Sequence, residues 1–108
     1  MNGELDRLIK FITEHYHFNA ASFPELEGKS EKQVFEFAVQ HSALHFAKTA
    51  GKVVAVTEDA DHGKEINIEE LKTNIPKALI NTLRLAELVH MSEQEIIESI
   101  EQKYNDTL

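Results

Sequence analysis

His41, His45, Lys48 and Lys52 follow one another at four-, three- and four-residue steps. On a helix those steps bring side chains onto one face. Val34, Ala38, Val56 and Asp59 extend the same stripe at both ends. Its middle is imidazole and ammonium, in a chain with 19 acidic against 11 basic residues and a net charge of −8. Two chemistries suit such groups. Lysines donate charge-assisted hydrogen bonds to phosphate or carboxylate oxygens. Two histidines four apart on a helix have a metal-chelating spacing. A zincin-type site would need a glutamate directly after His41, and Ser42 stands there. A third ligand would have to come from Glu36, Asp59 or His62, and Lys48 sets a positive charge beside any such ion. No metal is therefore expected at His41 and His45.

A second cluster, Glu58-Asp59-Ala60-Asp61-His62-Gly63, falls where the stripe ends. It is too short for an EF-hand loop. It reads as a solvated acidic helix end with a turn at His62-Gly63. The alternative is a metal site formed by Glu58, Asp59, Asp61 and His62, with Glu58, Asp61 and His62 as catalytic groups. No nucleophile arrangement stands out: there is no cysteine, no Gly-x-Ser-x-Gly and no phosphate loop.

A long helix from Ser30 to about Asp59 must carry the stripe. Ser30 and Gln33 fit a capping box. Phe35, Phe37, Leu44, Phe46, Val53 and Val54 add apolar groups on further sides of this helix, so it belongs inside a bundle or at a subunit interface. Ala43, Ala47, Ala50 and Gly51 are small enough to let another helix approach. Gly63 is a C-cap signal. Before the long helix, residues 4–16 show a helical apolar stripe of Leu5, Leu8, Ile9, Phe11 and Ile12. His15-Tyr16-His17 reads as a helix end with an aromatic anchor. Residues 19–29 form a loop punctuated by Pro24 and Gly28, with Phe23 and Leu26 packing back and the loop able to lie over a pocket. After the long helix, Asn67 and Glu70 start another, and Pro76 predicts a break or kink between pieces at 68–74 and 76–90. Ser92 and Glu95 cap a last helix over 93–104 with Ile96, Ile97 and Ile100 buried, followed by a frayed tail.

The fold class is thus all-α, four to five helices in an antiparallel bundle, as one domain over 1–108 with a helix and loop at 1–29 and a helical core at 30–104. The acidic balance argues against nucleic-acid binding. No apolar run approaches the roughly 20 residues that cross a membrane. The first residues carry no basic-then-apolar leader, and the absence of cysteine suits a reducing compartment, so a soluble cytoplasmic protein is expected.

Lys48-Thr49-Ala50-Gly51-Lys52-Val53, the later Arg84-Leu85-Ala86-Glu87-Leu88 and the final Ser92-Glu93-Gln94-Glu95-Ile96-Ile97 together resemble the MazG-like all-α nucleoside triphosphate pyrophosphohydrolases, over about residues 33–104. In that family a Glu-Glu-x-x-Glu motif surrounds the glycine and Glu-x-x-Asp lies on the next helix. These carboxylates hold Mg²⁺ against a triphosphate while water attacks to release pyrophosphate, because Mg²⁺ takes oxygen ligands and couples protein to phosphate. Here the first motif falls on Lys48, Thr49 and Lys52, and the second on Asn74 and Lys77. Glu36 is the one carboxylate between Gln33 and Thr57, and there is none between Leu71 and Ala86.

The resemblance further implies that the face of Lys77, Asn81 and Arg84 meets the stripe. His41, His45, Lys48, Lys52, Lys77, Asn81 and Arg84 would then line a pocket that repels Mg²⁺ and accepts an anion. The other reading pairs the lysines with Glu36, Asp59 or acids of another subunit. The expected function is a degenerate MazG-like protein without Mg²⁺-dependent pyrophosphatase activity. It would bind a nucleotide or another small anion, or act as a helical interaction module, and would need no cofactor. The resemblance implies a homo-oligomer, dimer or tetramer. The alternative is an active pyrophosphohydrolase whose Mg²⁺ site has moved to Glu58, Asp59, Asp61 and His62.

Overall fold

The computed structural model describes residues 3–107, with side chains through Asn105. Four helices follow in order: α1 (Glu4–His15), α2 (Glu31–Asp61), α3 (Ile68–Leu88) and α4 (Glu93–Thr107), with a 3₁₀ turn at Pro24–Leu26. There is no strand among the described residues. None of the helices is long and apolar enough to cross a membrane.

Local chemistry sets the ends. The Gln33 N–H donates to Ser30 Oγ (3.2 Å) and the Ser30 N–H to Gln33 Oε1 (2.9 Å), closing the capping box of α2. The Glu70 N–H donates to Asn67 Oδ1 (3.0 Å) at the start of α3, and the Glu95 N–H to Ser92 Oγ (3.2 Å) at the start of α4. Helix α2 stops where Gly63 takes a φ of 90°. There Gly63 donates its N–H to Ala60 O and Lys64 to Asp59 O, each at 3.1 Å. The same motif ends α3, with His90 in the left-handed position at φ 61°. His90 N–H reaches Glu87 O (3.0 Å) and Met91 N–H reaches Ala86 O (2.9 Å).

The reversal at 62–67 folds α3 back along α2, and this pair is the main packing of the protein. The buried residues of α2 are Ala38, Ser42, Thr49 and Val56, small or medium side chains on one face. Helix α1 packs against α3. There Ile9, Ile12 and Leu83 form the core, supported by Leu5, Leu8, Ile80 and Ile96. Leu26 is buried, so the loop before α2 does pack back onto the body.

Three expectations need correction. Pro76 does not split α3, which runs unbroken from Ile68 to Leu88. The proline costs one backbone donor, and its ring is on the exposed side. In the preceding turns Thr73 Oγ1 donates to Glu69 O (2.9 Å) and Asn74 Nδ2 to Glu70 O (2.8 Å), while α2 supports the helix alongside. Helix α4 runs on to Thr107 instead of stopping at 104, and of its three isoleucines only Ile96 joins the core; Ile97 is half-buried and Ile100 exposed. It is held at its start, where the Leu5 N–H donates to Glu93 Oε1 (2.8 Å) and the Glu93 N–H to Asp6 Oδ1 (2.8 Å). Among the described residues no other helix packs extensively along it. Finally, of the two placements expected for α2, inside a bundle or at a subunit interface, full enclosure by its own chain is not realised, since Phe35, Leu44, Phe46 and Val54 are exposed.

Candidate functional site

Between α2, α3 and the end of α1 lies an open cavity of about 500 Å³. Helix α2 contributes His41, His45, Lys48, Thr49 and Lys52 at helical spacing, and α3 faces it with Lys77, Ile80, Asn81 and Arg84. All seven residues inferred from the sequence for an anion pocket therefore line one space. The antiparallel pairing of α2 and α3 is what gathers them.

A third wall comes from the end of α1 and from the loop that the sequence reading allows to lie over a pocket, although it assigns none of these residues to the site. His15, Tyr16, His17, Ser22 and Phe23 also line the cavity. Helix α1 ends because Tyr16 turns extended (φ −129°, ψ 102°). His15 and His17, two apart, separate on a helix but come to the same side of an extended strand. That spacing was the available signal. It becomes readable only once the helix is known to end at His15. His15 Nδ1 donates to Phe11 O (2.8 Å) and its ring stacks on Phe11 with centroids 4.1 Å apart.

The cavity has two ends of different chemistry. At one, Phe23 and His41 pack with Phe18 and Phe37 behind them, at centroid distances from 5.0 Å to 6.3 Å. The His41 and His45 rings stand 4.4 Å apart. The guanidinium carbon of Arg84 lies 4.6 Å from the Phe18 centroid and 5.0 Å from that of Tyr16. At the other end Lys48, Lys52 and Lys77 approach from both helices.

Among the described residues, none of Lys48, Lys52, Lys77 and Arg84 is paired with a carboxylate. Arg84 Nε is buried without a hydrogen-bond partner. Intramolecular pairing of the lysines with Glu36 or Asp59 is therefore not realised. Glu36 lines a separate groove with Leu26 and Phe37, and Asp59 sits exposed near the end of α2. Burial is the main cause holding the His41 pKa below its usual 6.5; the positive charges of His45 and Arg84 add to it, and Glu25 opposes them. Burial also lowers the Arg84 pKa, with Tyr16 opposing. An arginine nonetheless keeps its charge at any physiological pH.

Glu58, Asp59, Asp61 and His62 are exposed at the close of α2, where the backbone of Asp59 and Ala60 serves the helix stop. Among the described residues no three histidine or acidic side chains converge closely enough to share a metal ion, there or around His41 and His45. No protein-family model, curated protein or solved structure matches the chain.

Proposed function

We propose that this cavity binds a small polyanion directly, with no divalent cation between protein and ligand. One observation carries the reading. In a chain of net charge −8, four cationic side chains surround one cavity and none meets a carboxylate among the described residues. Clustered, unpaired cations repel one another, and an anion relieves that cost while accepting their hydrogen bonds. A volume of about 500 Å³ suits a small metabolite.

The two ends favour a nucleotide-like ligand. Tyr16, Phe23 and His41 offer faces and edges to a planar ring. Lys48, Lys52 and Lys77 offer donors to phosphate oxygens. On this reading the chain is a degenerate MazG-like protein, a pseudoenzyme of the cytoplasm. It keeps the place where a triphosphate would lie and has exchanged the metal-holding acids for three lysines and two neutral residues. The positions matched to the family's acids are Lys48, Thr49, Lys52, Asn74 and Lys77. Thr49 is buried, and Asn74 is fully so.

The test is thermal melting of metal-stripped protein with nucleoside mono- and triphosphates, with and without Mg²⁺, alongside an assay of pyrophosphate release. A ligand of the folded state raises the melting temperature by mass action. The expected result is stabilisation without Mg²⁺ and no pyrophosphate. Mg²⁺-dependent pyrophosphate release would overturn the reading.

A further inference from the structure

We infer that the cavity cleaves a ribonucleoside 3′-phosphodiester without a metal ion, His41 taking the proton of the substrate's 2′-hydroxyl and His45 giving one to the leaving oxygen. The inference rests on the reading that the cavity holds a nucleotide-like polyanion, and it names a reaction for that ligand. The reaction differs from pyrophosphate release and uses no divalent cation.

The order of groups along α2 carries the inference. Phe23 packs on His41 with centroids 5.0 Å apart, at the aromatic end of the cavity. His45, Lys48 and Lys52 follow on the same face. Along the helix axis His41 and His45 are about 6 Å apart, and His45 and Lys48 about 4.5 Å. A ribonucleoside 3′-phosphodiester has the same order of parts: a planar base, a 2′-hydroxyl, then the phosphorus and the leaving oxygen. With the base on the aromatic rings and the phosphate on the lysines, the ribose comes beside the two imidazoles.

The two imidazoles are unlike. Their rings stand 4.4 Å apart, and two imidazolium charges that close repel one another. The pair therefore holds a single proton around pH 6.5, where a lone imidazole is half protonated. Burial, then the charges of His45 and Arg84, disfavour charge on His41, and only Glu25 opposes them. His41 is thus the neutral member and the base, which leaves its neighbour as the acid. Two like groups whose surroundings divide them in this way suit general acid–base catalysis. The chain has no cysteine to act as nucleophile. A hydroxyl carried by the substrate fills that role, and its attack gains from proximity.

The step balances. The 2′-oxygen bonds to phosphorus as its proton passes to His41. The bond from phosphorus to the 5′-oxygen breaks as His45 protonates that oxygen. The products are a 2′,3′-cyclic phosphate and a free 5′-hydroxyl, and the two rings then exchange protons with solvent through the open cavity. Lys48, Lys77 and Arg84, whose buried Nε has no partner, face the negative charge that builds up at phosphorus. A chain of net charge −8 repels long RNA, so the substrate is short.

The test is the dinucleotide UpA with the protein in EDTA, followed by phosphorus NMR. Wild type should yield the cyclic phosphate with a bell-shaped pH profile, and the 2′-deoxy analogue should stay intact. His41→Gln should slow cleavage by about 100-fold or more and flatten the acid limb of the profile. It should still bind tripolyphosphate at about pH 8. His45→Gln should flatten the alkaline limb instead, a division that mere misfolding would not produce. Tripolyphosphate binding by wild type without any cyclic phosphate would overturn the inference and leave the anion reading standing. Neither binding nor cleavage would overturn both. Cleavage undiminished in the double variant would reveal a contaminating nuclease and overturn the inference as well.

Discussion

Arg84 holds its guanidinium carbon 4.6 Å from the centre of the Phe18 ring, and no carboxylate pairs with it among the described residues. An arginine kept in the acidic chain by aromatic faces alone is poised for an outside partner. Arg84→Met keeps an unbranched chain over Tyr16 and Phe18 and removes the charge. It should weaken tripolyphosphate binding by about 10- to 100-fold, the worth of a hydrogen bond to a charged group. The melting temperature of the free protein should hold or rise, since one of four mutually repelling cations is gone. Arg84→Ala should lower both, because the packing is lost as well.

Binding should depend on pH through His41. The folded chain favours neutral His41, because burial, His45 and Arg84 outweigh Glu25. The unfolded chain therefore takes up this proton at higher pH than the folded one. The His41 contribution to stability is full above about pH 6.5 and declines as pH falls through and below that value. A bound anion favours the imidazolium, so sulfate, whose own charge is constant in this range, should bind more tightly as pH drops from about 8 to about 5.5. Calorimetry across that range should show a flatter profile for His41→Gln. An unchanged profile in the variant would remove His41 from the coupling.

Asp6 and Glu93 cap one another's helices, each carboxylate accepting an N–H from the opposite first turn at 2.8 Å. Glu93→Ala should cost about 1 kcal/mol in urea denaturation, as losses of an N-cap do. Asp6→Ala should cost a similar amount. The double variant should cost less than the two singles together if the carboxylates act as one device. Anion binding should be untouched.

His90 occupies a left-handed position that glycine fills at the end of α2. His90→Gly should stabilise the chain by about 1 kcal/mol, the usual penalty of a side chain in that conformation. Differential scanning calorimetry should then show a rise of several degrees in melting temperature.

What was legible in the sequence was local. The Ser30–Gln33 box, the Asn67 and Ser92 caps and the Gly63 stop all depend on groups three or four residues apart, and each has its hydrogen bonds. Helical spacing likewise set His41, His45, Lys48 and Lys52 on one face, and Lys77, Asn81 and Arg84 on another. The third wall was legible in part: the loop carrying Phe23 was read as able to lie over a pocket, whereas the path of Tyr16 and His17 depends on where α1 ends. Pro76 misled for a related reason: packing of α3 along α2, with the proline ring on the exposed side, outweighs one missing donor. Ile97 and Ile100 carry a core pattern, yet among the described residues no helix packs extensively alongside them, and they stay half-buried and exposed.

The most direct test of the anion cavity is isothermal titration of tripolyphosphate into the protein in EDTA. Wild type would be compared with the double variant Lys48→Glu, Lys52→Glu, whose sites are exposed and leave the α2–α3 packing in place. Saturable binding by wild type, lost in the variant while its circular dichroism is unchanged, is the predicted result. No binding by wild type, or equal binding by both, would contradict the account.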